Sequence, residues 1–268
     1  MKLFNNFFLG LKSFGKGFEF LLTHKMGWTL FIPVAITIIF FWLGLELTSS
    51  LIDITIENLE HRLHLNNNSF FLAKYLKIFL SGFLWLVIKG LFFIVFTYIN
   101  GYLVLAVLSP LLAIISEKTE KIITGKTYPF SLHQLIHDII RGILIVLRNL
   151  LYEICLSILI LILMLIPLIG QIIGVFSPII LFGISSYFYG FSFIDYNSER
   201  HKLSVKESVV FTRKNGGLAI ANGSIFSLFL MIPVLGSFIA GIIAIISTVS
   251  ATLAVLEIKQ QNGKNKHN

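Results

Sequence analysis

From Gly27 to Leu45 the chain reads GWTLFIPVAITIIFFWLGL without one charged side chain, and from Ile78 to Leu108 the only charge is Lys89. An α-helix needs about 20 apolar residues to cross the ~30 Å hydrocarbon core of a bilayer. In that medium a backbone satisfies its polar groups only as helices or as a closed barrel. Two later apolar regions are broken in the same manner, LMLIPLIGQIIGVFSPI at 163–179 and LMIPVLGSFIAGI at 230–242. Ile232, Pro233 and Gly236 stand there in the places of Ile166, Pro167 and Gly170. Only 13% of the residues are charged, against about 25% in soluble domains. The chain therefore reads as an all-α integral membrane protein, one membrane domain over 1–268.

Residues 1–24 form an amphipathic helix. Phe4, Phe7, Phe8, Leu11, Phe14, Phe18, Leu21 and Leu22 follow the helical period, while Asn5, Lys12, Lys16 and Glu19 fall opposite. Such a helix lies in the membrane interface; packing onto the protein's own loops is the alternative. Its charges and the lack of a small-residue cleavage site argue against a cleavable signal. The first span is 27–45, with Pro33 in its early turns. A polar segment follows over 46–77, carrying Glu46, Asp53, Glu57, Glu60 and three asparagines at 66–68. The second span, 78–108, is punctuated by Ser109-Pro110. Ser131 to Gln134 and Ser204 to Glu207 match the capping box that starts a helix. They open two regions, 131–194 and 204–258, each a leading helix followed by a hairpin, and 259–268 is a tail.

The net charge is +8. The segment 46–77 holds four acids with Arg62, Lys74 and Lys77, and nearly all the other basic residues lie at the N-terminus, in the two capped segments and in the tail. The positive-inside rule then places 46–77 outside and both termini in the cytoplasm. Basic charge in short loops between apolar runs reports topology and anionic lipid, and implies no nucleic-acid partner. With both flanks cytoplasmic, each broken region is either a pair of full spans or a re-entrant hairpin with Ile-Pro-x-x-Gly at its tip. In the second region only Ser224 to Ile232 is strongly apolar, too short for a crossing, which favours re-entry. Repetition suggests a duplicated arm–tip–arm unit of the kind transporters use. A tip at mid-membrane depth needs cover from protein, hence close packing or a homo-oligomer.

Enzymatic chemistry finds little support. TGKT at 124–127 echoes a phosphate loop, but the required first glycine falls at Glu120. His133 and His137 with Asp138, like His61 and His64, offer too few ligands for a metal. Glu153 and Asp195 are lone acids and not a catalytic pair. No enzyme, cofactor or metal is expected. Cys155, the single cysteine, reads as an inert packing residue. Lys89 reads as a lysine snorkelling toward the outer face. At the hairpin bases Arg141, Arg148 and Arg213, with His201, Lys202 and Lys214, are either an anion vestibule, since guanidinium donors match oxyanion geometry, or plain topology anchors.

Several stretches together resemble the CysZ sulfate-permease family and its eukaryotic etoposide-induced relatives. They are LSPLLAIISEKTEKIITG (108–125), Arg141, IPLIGQ (166–171), DYNSERHKLSVKESVVFTR (195–213) and MIPVLG (231–236). The resemblance covers nearly the whole chain. It implies two long spanning helices, two half-membrane hairpins, both termini cytoplasmic and an oligomer. It also implies proton-linked or channel-like sulfate uptake for cysteine synthesis in the bacterial inner membrane, without ATP hydrolysis. Before the first span the family carries a glycine–aliphatic–arginine element associated with sulfate. Here Lys25 occupies the glycine place and Gly27 the arginine place, so the two-point donor is missing. Expected substrate-binding residues are Lys25, Gly27, Arg141, Arg148 and Arg213, and Pro167, Gly170, Pro233 and Gly236 are expected hairpin tips. The rival reading is a non-transporting scaffold or regulator of the same fold.

Overall fold

The computed structural model describes residues 2–62, 73–126, 132–232 and 235–264. All their regular structure is helical. In chain order the helices are α1 (Lys2–Thr23), a 3-10 turn η1 (Gly27–Leu30), α2 (Phe31–Arg62), α3 (Ala73–Thr124), α4 (Leu132–Met164), α5 (Ile169–Arg200), α6 (Val205–Lys214), α7 (Gly216–Leu230) and α8 (Leu235–Lys264). Five stretches are long and apolar enough to cross a membrane: Gly27–Asn58, Asn100–Thr124, Ile136–Met164, Ile169–Ser198 and Phe238–Gln261. The chain is a multi-pass membrane protein.

Two helices run further than the sequence suggests. The 46–77 segment is helical to Arg62 and again from Ala73, so α2 carries its acids on an extended helix. Ser109-Pro110 does not end α3, which continues to Thr124 with Pro110 inside it. A proline removes one backbone donor, and α5 shows how such a gap is filled. Pro178 leaves the Gly174 carbonyl without its helical donor, and Ser177 Oγ donates to it at 2.9 Å.

The chain divides into two compact units, Ala35–Asn100 and the remainder, Met1–Val34 with Gly101–Asn268. In the smaller unit Gly44 faces the Phe92 ring, where a Cβ would lie 2.7 Å from ring carbons. Phe41 packs on Phe92, Phe93 and Phe96. Lys89 does not snorkel. Its Nζ donates to the Leu45 carbonyl and to the Thr48 and Ser49 hydroxyls at 3.1, 3.2 and 2.9 Å, pinning α3 to α2.

In the larger unit α5 and α7 cross at very short range. A Cβ on Gly190 would sit 1.8 Å from the Ala219 carbonyl oxygen, and one on Gly223 1.7 Å from that of Ser186. Small residues four apart on both helices allow this approach, the usual device of membrane helix pairs. Helix α1 docks on α7 and α8 through Asn6, Gly10, Ser13, Gly17 and Leu21, all buried. Its phenylalanines at 4, 8 and 18 point outward, exposed. The small and polar stripe meets protein, and the apolar stripe is left for lipid.

Candidate functional site

The first Ile-Pro-x-x-Gly break separates α4 from α5 and the second falls between α7 and α8. Gly170 N–H donates to the Ile166 carbonyl at 2.6 Å, and Gly236 N–H to that of Ile232 at 2.8 Å. A Cβ on Gly170 would lie 2.0 Å from the Met164 carbonyl oxygen; on Gly236, 2.2 Å from that of Phe229. Glycine is thus required twice for the same close approach. Leu168 adopts φ 68° in the first turn. Pro167 is exposed at that turn. Pro233 lies outside the described residues.

Lys25 sits in the turn that links α1 to η1, and Gly27 is the first residue of η1. Met26 N–H returns to the Leu21 carbonyl at 2.9 Å, and Lys25 holds φ 55°. This left-handed backbone favours glycine, so a lysine there is strained, with its side chain exposed. Gly27 has no such need, as a Cβ there meets only Leu22 Cδ2 at 3.7 Å.

Arg141 is engaged within the fold. Its Nε and Nη2 donate to the two carboxylate oxygens of Asp195 at 3.3 and 3.1 Å, and Nη1 donates to the Leu203 carbonyl. Ser208 on α6 donates to the same carboxylate. Side-chain exposure is 10% for Arg141 and 4% for Asp195. One ion pair thereby ties α4, α5, the 203 turn and α6. Helix α6 begins where the sequence places it: Ser204 Oγ accepts from Glu207 N–H at 3.3 Å, and Ser204 N–H donates to the Glu207 carboxylate at 2.7 Å. The Ser204 N–H and then the Ser204 hydroxyl, which donates to the same carboxylate at 2.8 Å, hold the Glu207 carboxyl below its usual range. The corresponding box at Ser131 falls outside the described residues.

Arg148 and Arg213 are brought together at Tyr187. The charges of Arg213 and, less strongly, Arg148 both act on the Tyr187 hydroxyl. Arg148 donates to Asn149 Oδ1 at 3.0 Å and lies over the Tyr152 and Phe191 rings, 4.9 and 5.3 Å from their centroids. Neither guanidinium pairs with a carboxylate among the described residues. A pair of unneutralised guanidiniums about one phenol is suited to a tetrahedral oxyanion. Lys25 and Gly27 touch neither of them among the described residues.

Sequence reasoning missed the polar groups that line these helices. Asn149 donates to Ser192 Oγ at 2.9 Å and to the Phe188 carbonyl at 3.2 Å. One turn on, Glu153 accepts from Tyr102 and from Ser185. With Arg141 two turns earlier, these form a polar ladder between α4 and α5, visible in the sequence only as 141, 149 and 153 on one helical face. A second network centres on Glu120. It takes Arg200 at 3.0 Å, His201 at 3.3 Å and Asn197 at 3.3 Å, while Lys259 donates to Asn197 at 3.2 Å and Arg200 to Ser116. It fastens α5 to α3 and α8. His137 is exposed, 3.9 Å from Asp138, and Cys155 is exposed on α4 instead of packed.

A family profile described as sulfate transporter CysZ/etoposide-induced protein 2.4 matches residues 13–240. Among curated proteins none matches the chain.

Proposed function

The chain belongs to the sulfate transporter CysZ/etoposide-induced protein 2.4 family, and from that premise we propose that it is an inner-membrane anion permease taking up sulfate for cysteine synthesis. The observation that carries this reading is the proximity of Arg148 and Arg213 to the Tyr187 phenol, two guanidiniums that pair with no carboxylate among the described residues. Lys25, strained into a glycine's backbone and exposed, supplies the positive charge near Gly27 that the family's arginine would give. Arg141, saturated by Asp195 and Leu203, contributes by holding the ladder in register. The non-transporting scaffold remains the rival reading, and flux separates the two. Sulfate uptake into proteoliposomes is expected for wild type. Arg148→Gln and Arg213→Gln each weaken sulfate binding about tenfold or more, because a charge-assisted hydrogen bond contributes about 1.5–3 kcal/mol. Lysine at either position restores only part of it, since it keeps the charge and loses the fork. Wild-type binding and flux in all four variants, normalised to folded protein, would leave the arginines as topology anchors.

The same reading makes the second hairpin re-entrant and the assembly a homo-oligomer in the lipid bilayer, with both termini cytoplasmic. Helix α7 has 15 residues, about 22 Å at 1.5 Å each, short of the ~30 Å core. The arms of the first hairpin, 33 and 32 residues, have length to spare. Spin labels at Ile169 and Leu235 test the depth of both turns. A Leu235 label reporting the headgroup region opposite the hairpin base would eliminate re-entry.

A further inference from the structure

Glu153 lies on α4 inside Ile136–Met164, a stretch apolar enough to cross the membrane, and is 3% exposed. Its carboxyl accepts from the Tyr102 hydroxyl on α3 and from Ser185 Oγ on α5 at 2.5 Å. Both partners are neutral hydroxyls. From α5 the Tyr189 ring also packs on Tyr102, with centroids 4.5 Å apart. The nearest cation along α4, Arg148, is turned onto Tyr152 and Phe191. An unpaired carboxylate is among the most costly groups to bury, and the general escape is to take up a proton. Ionisable groups held at membrane depth characteristically mark proton or ion relays.

Further polar groups lie along the same pair of helices. Asn149 and Ser192 stand one turn away, about 6 Å along α4, and Arg141, Asp195 and Ser208 lie two turns further, about 12 Å beyond. Between these stations the Ser109 hydroxyl is buried without a partner among the described residues, against α4 at Gly142. Hydroxyls both donate and accept. They can serve the ionised carboxylate as donors and the neutral acid as acceptors without rearranging the helices.

We infer that Glu153 is a proton-binding site: its carboxylate oxygen takes up one proton and returns it through the Tyr102 and Ser185 hydroxyls to the α4–α5 ladder. No electrons move and no other bond breaks. The inference stands on the membrane-crossing helices and not on which anion is carried, so its test uses no anion. Infrared difference spectra are taken between acid and alkaline pH on the full chain in lipid. The expected result is a protonated-carboxyl C=O band that disappears as pH rises and is missing from Glu153→Gln, which keeps the shape of the neutral acid. Tyr102→Phe, checked for folding by gel filtration and helical circular dichroism, retains the band at a higher frequency, because the carbonyl has lost a hydrogen bond. A pH-dependent carboxyl region identical in wild type and Glu153→Gln overturns the inference. So does a Glu153 band that never responds to pH, or a folded Tyr102→Phe protein whose band has not moved.

Discussion

Replacing Arg141 by glutamine separates a structural role from a substrate-binding one. The guanidinium makes two bonds to Asp195 and one to the Leu203 carbonyl, and both charged side chains are almost wholly enclosed. Glutamine cannot span all three acceptors. Among the described residues Asp195 would keep only the Ser208 hydroxyl. Removing one partner of a buried pair costs about 3–5 kcal/mol, because the remaining charge is left uncompensated. Taking both charges away together costs much less than the sum of the single losses. A double replacement, Arg141→Met with Asp195→Leu, is therefore expected to show a coupling of about 2–3 kcal/mol.

Equilibrium unfolding in mixed micelles, followed by tyrosine and tryptophan fluorescence, measures all four species of the cycle. Sulfate affinity per folded molecule is measured beside it and is expected to stay within about twofold of wild type, less than 0.5 kcal/mol. A stable Arg141→Gln protein that binds sulfate tenfold more weakly would refute the argument. Arg141 would then be the vestibule ligand that its place at the hairpin base suggests.

Three further outcomes follow from local geometry. Gly223→Ala brings a Cβ to 1.7 Å from the Ser186 carbonyl oxygen and should cost at least about 1–3 kcal/mol in the same unfolding assay; Gly183→Ala, with nothing within 4 Å, should be neutral or slightly stabilising. Lys25→Gly relieves a φ of 55°, a strain of about 1–3 kcal/mol partly offset by glycine's freer unfolded chain. It should leave stability equal or higher while weakening sulfate binding, and a loss of stability would show that the turn does not strain the lysine. The capping box holds Glu207 below its ordinary value of 4.5, so its stabilisation is full above that pH and fades as pH falls through the lowered value. The thermal midpoint difference between wild type and Glu207→Gln should shrink on acidification below 4.5, and a difference that grows would contradict the assignment.

Much of the helical plan is legible in the sequence, because bilayer-length apolar runs admit few folds and because Ser204-Val-Lys-Glu207 announces a helix start. The repeated glycine of the two breaks is legible too, and the structure gives it one cause at Gly170 and Gly236: each backbone passes too near the preceding arm for a Cβ. The overruns of α2 and α3 are not legible. Charged residues past Leu45 and a proline at 110 read as stops, yet a helix already nucleated extends at little cost per residue. The partner of Arg141 is hidden for another reason: Asp195 lies 54 residues away, and only the α4–α5 hairpin brings it back.

Helix α1 shows why the remainder resists sequence reasoning in a protein of this kind. In water, the apolar stripe of an amphipathic helix marks the buried side. A lipid chain is as apolar as leucine, so that inference fails at a membrane, where close packing and polar contacts decide which face meets protein. The phenylalanines at 4, 8 and 18 set the period correctly but identify the outer face. The docking face is the stripe of Asn6, Gly10, Ser13 and Gly17, with Asn6 donating to Asn215 at 3.0 Å and a Cβ on Gly10 only 2.6 Å from that of Ala221. The same inversion governs α4, whose leucines at 144, 147 and 151 face outward while Asn149 and Glu153 turn in. In α1 and α4 the small and polar residues inside an apolar helix trace the interior more faithfully than its large apolar ones.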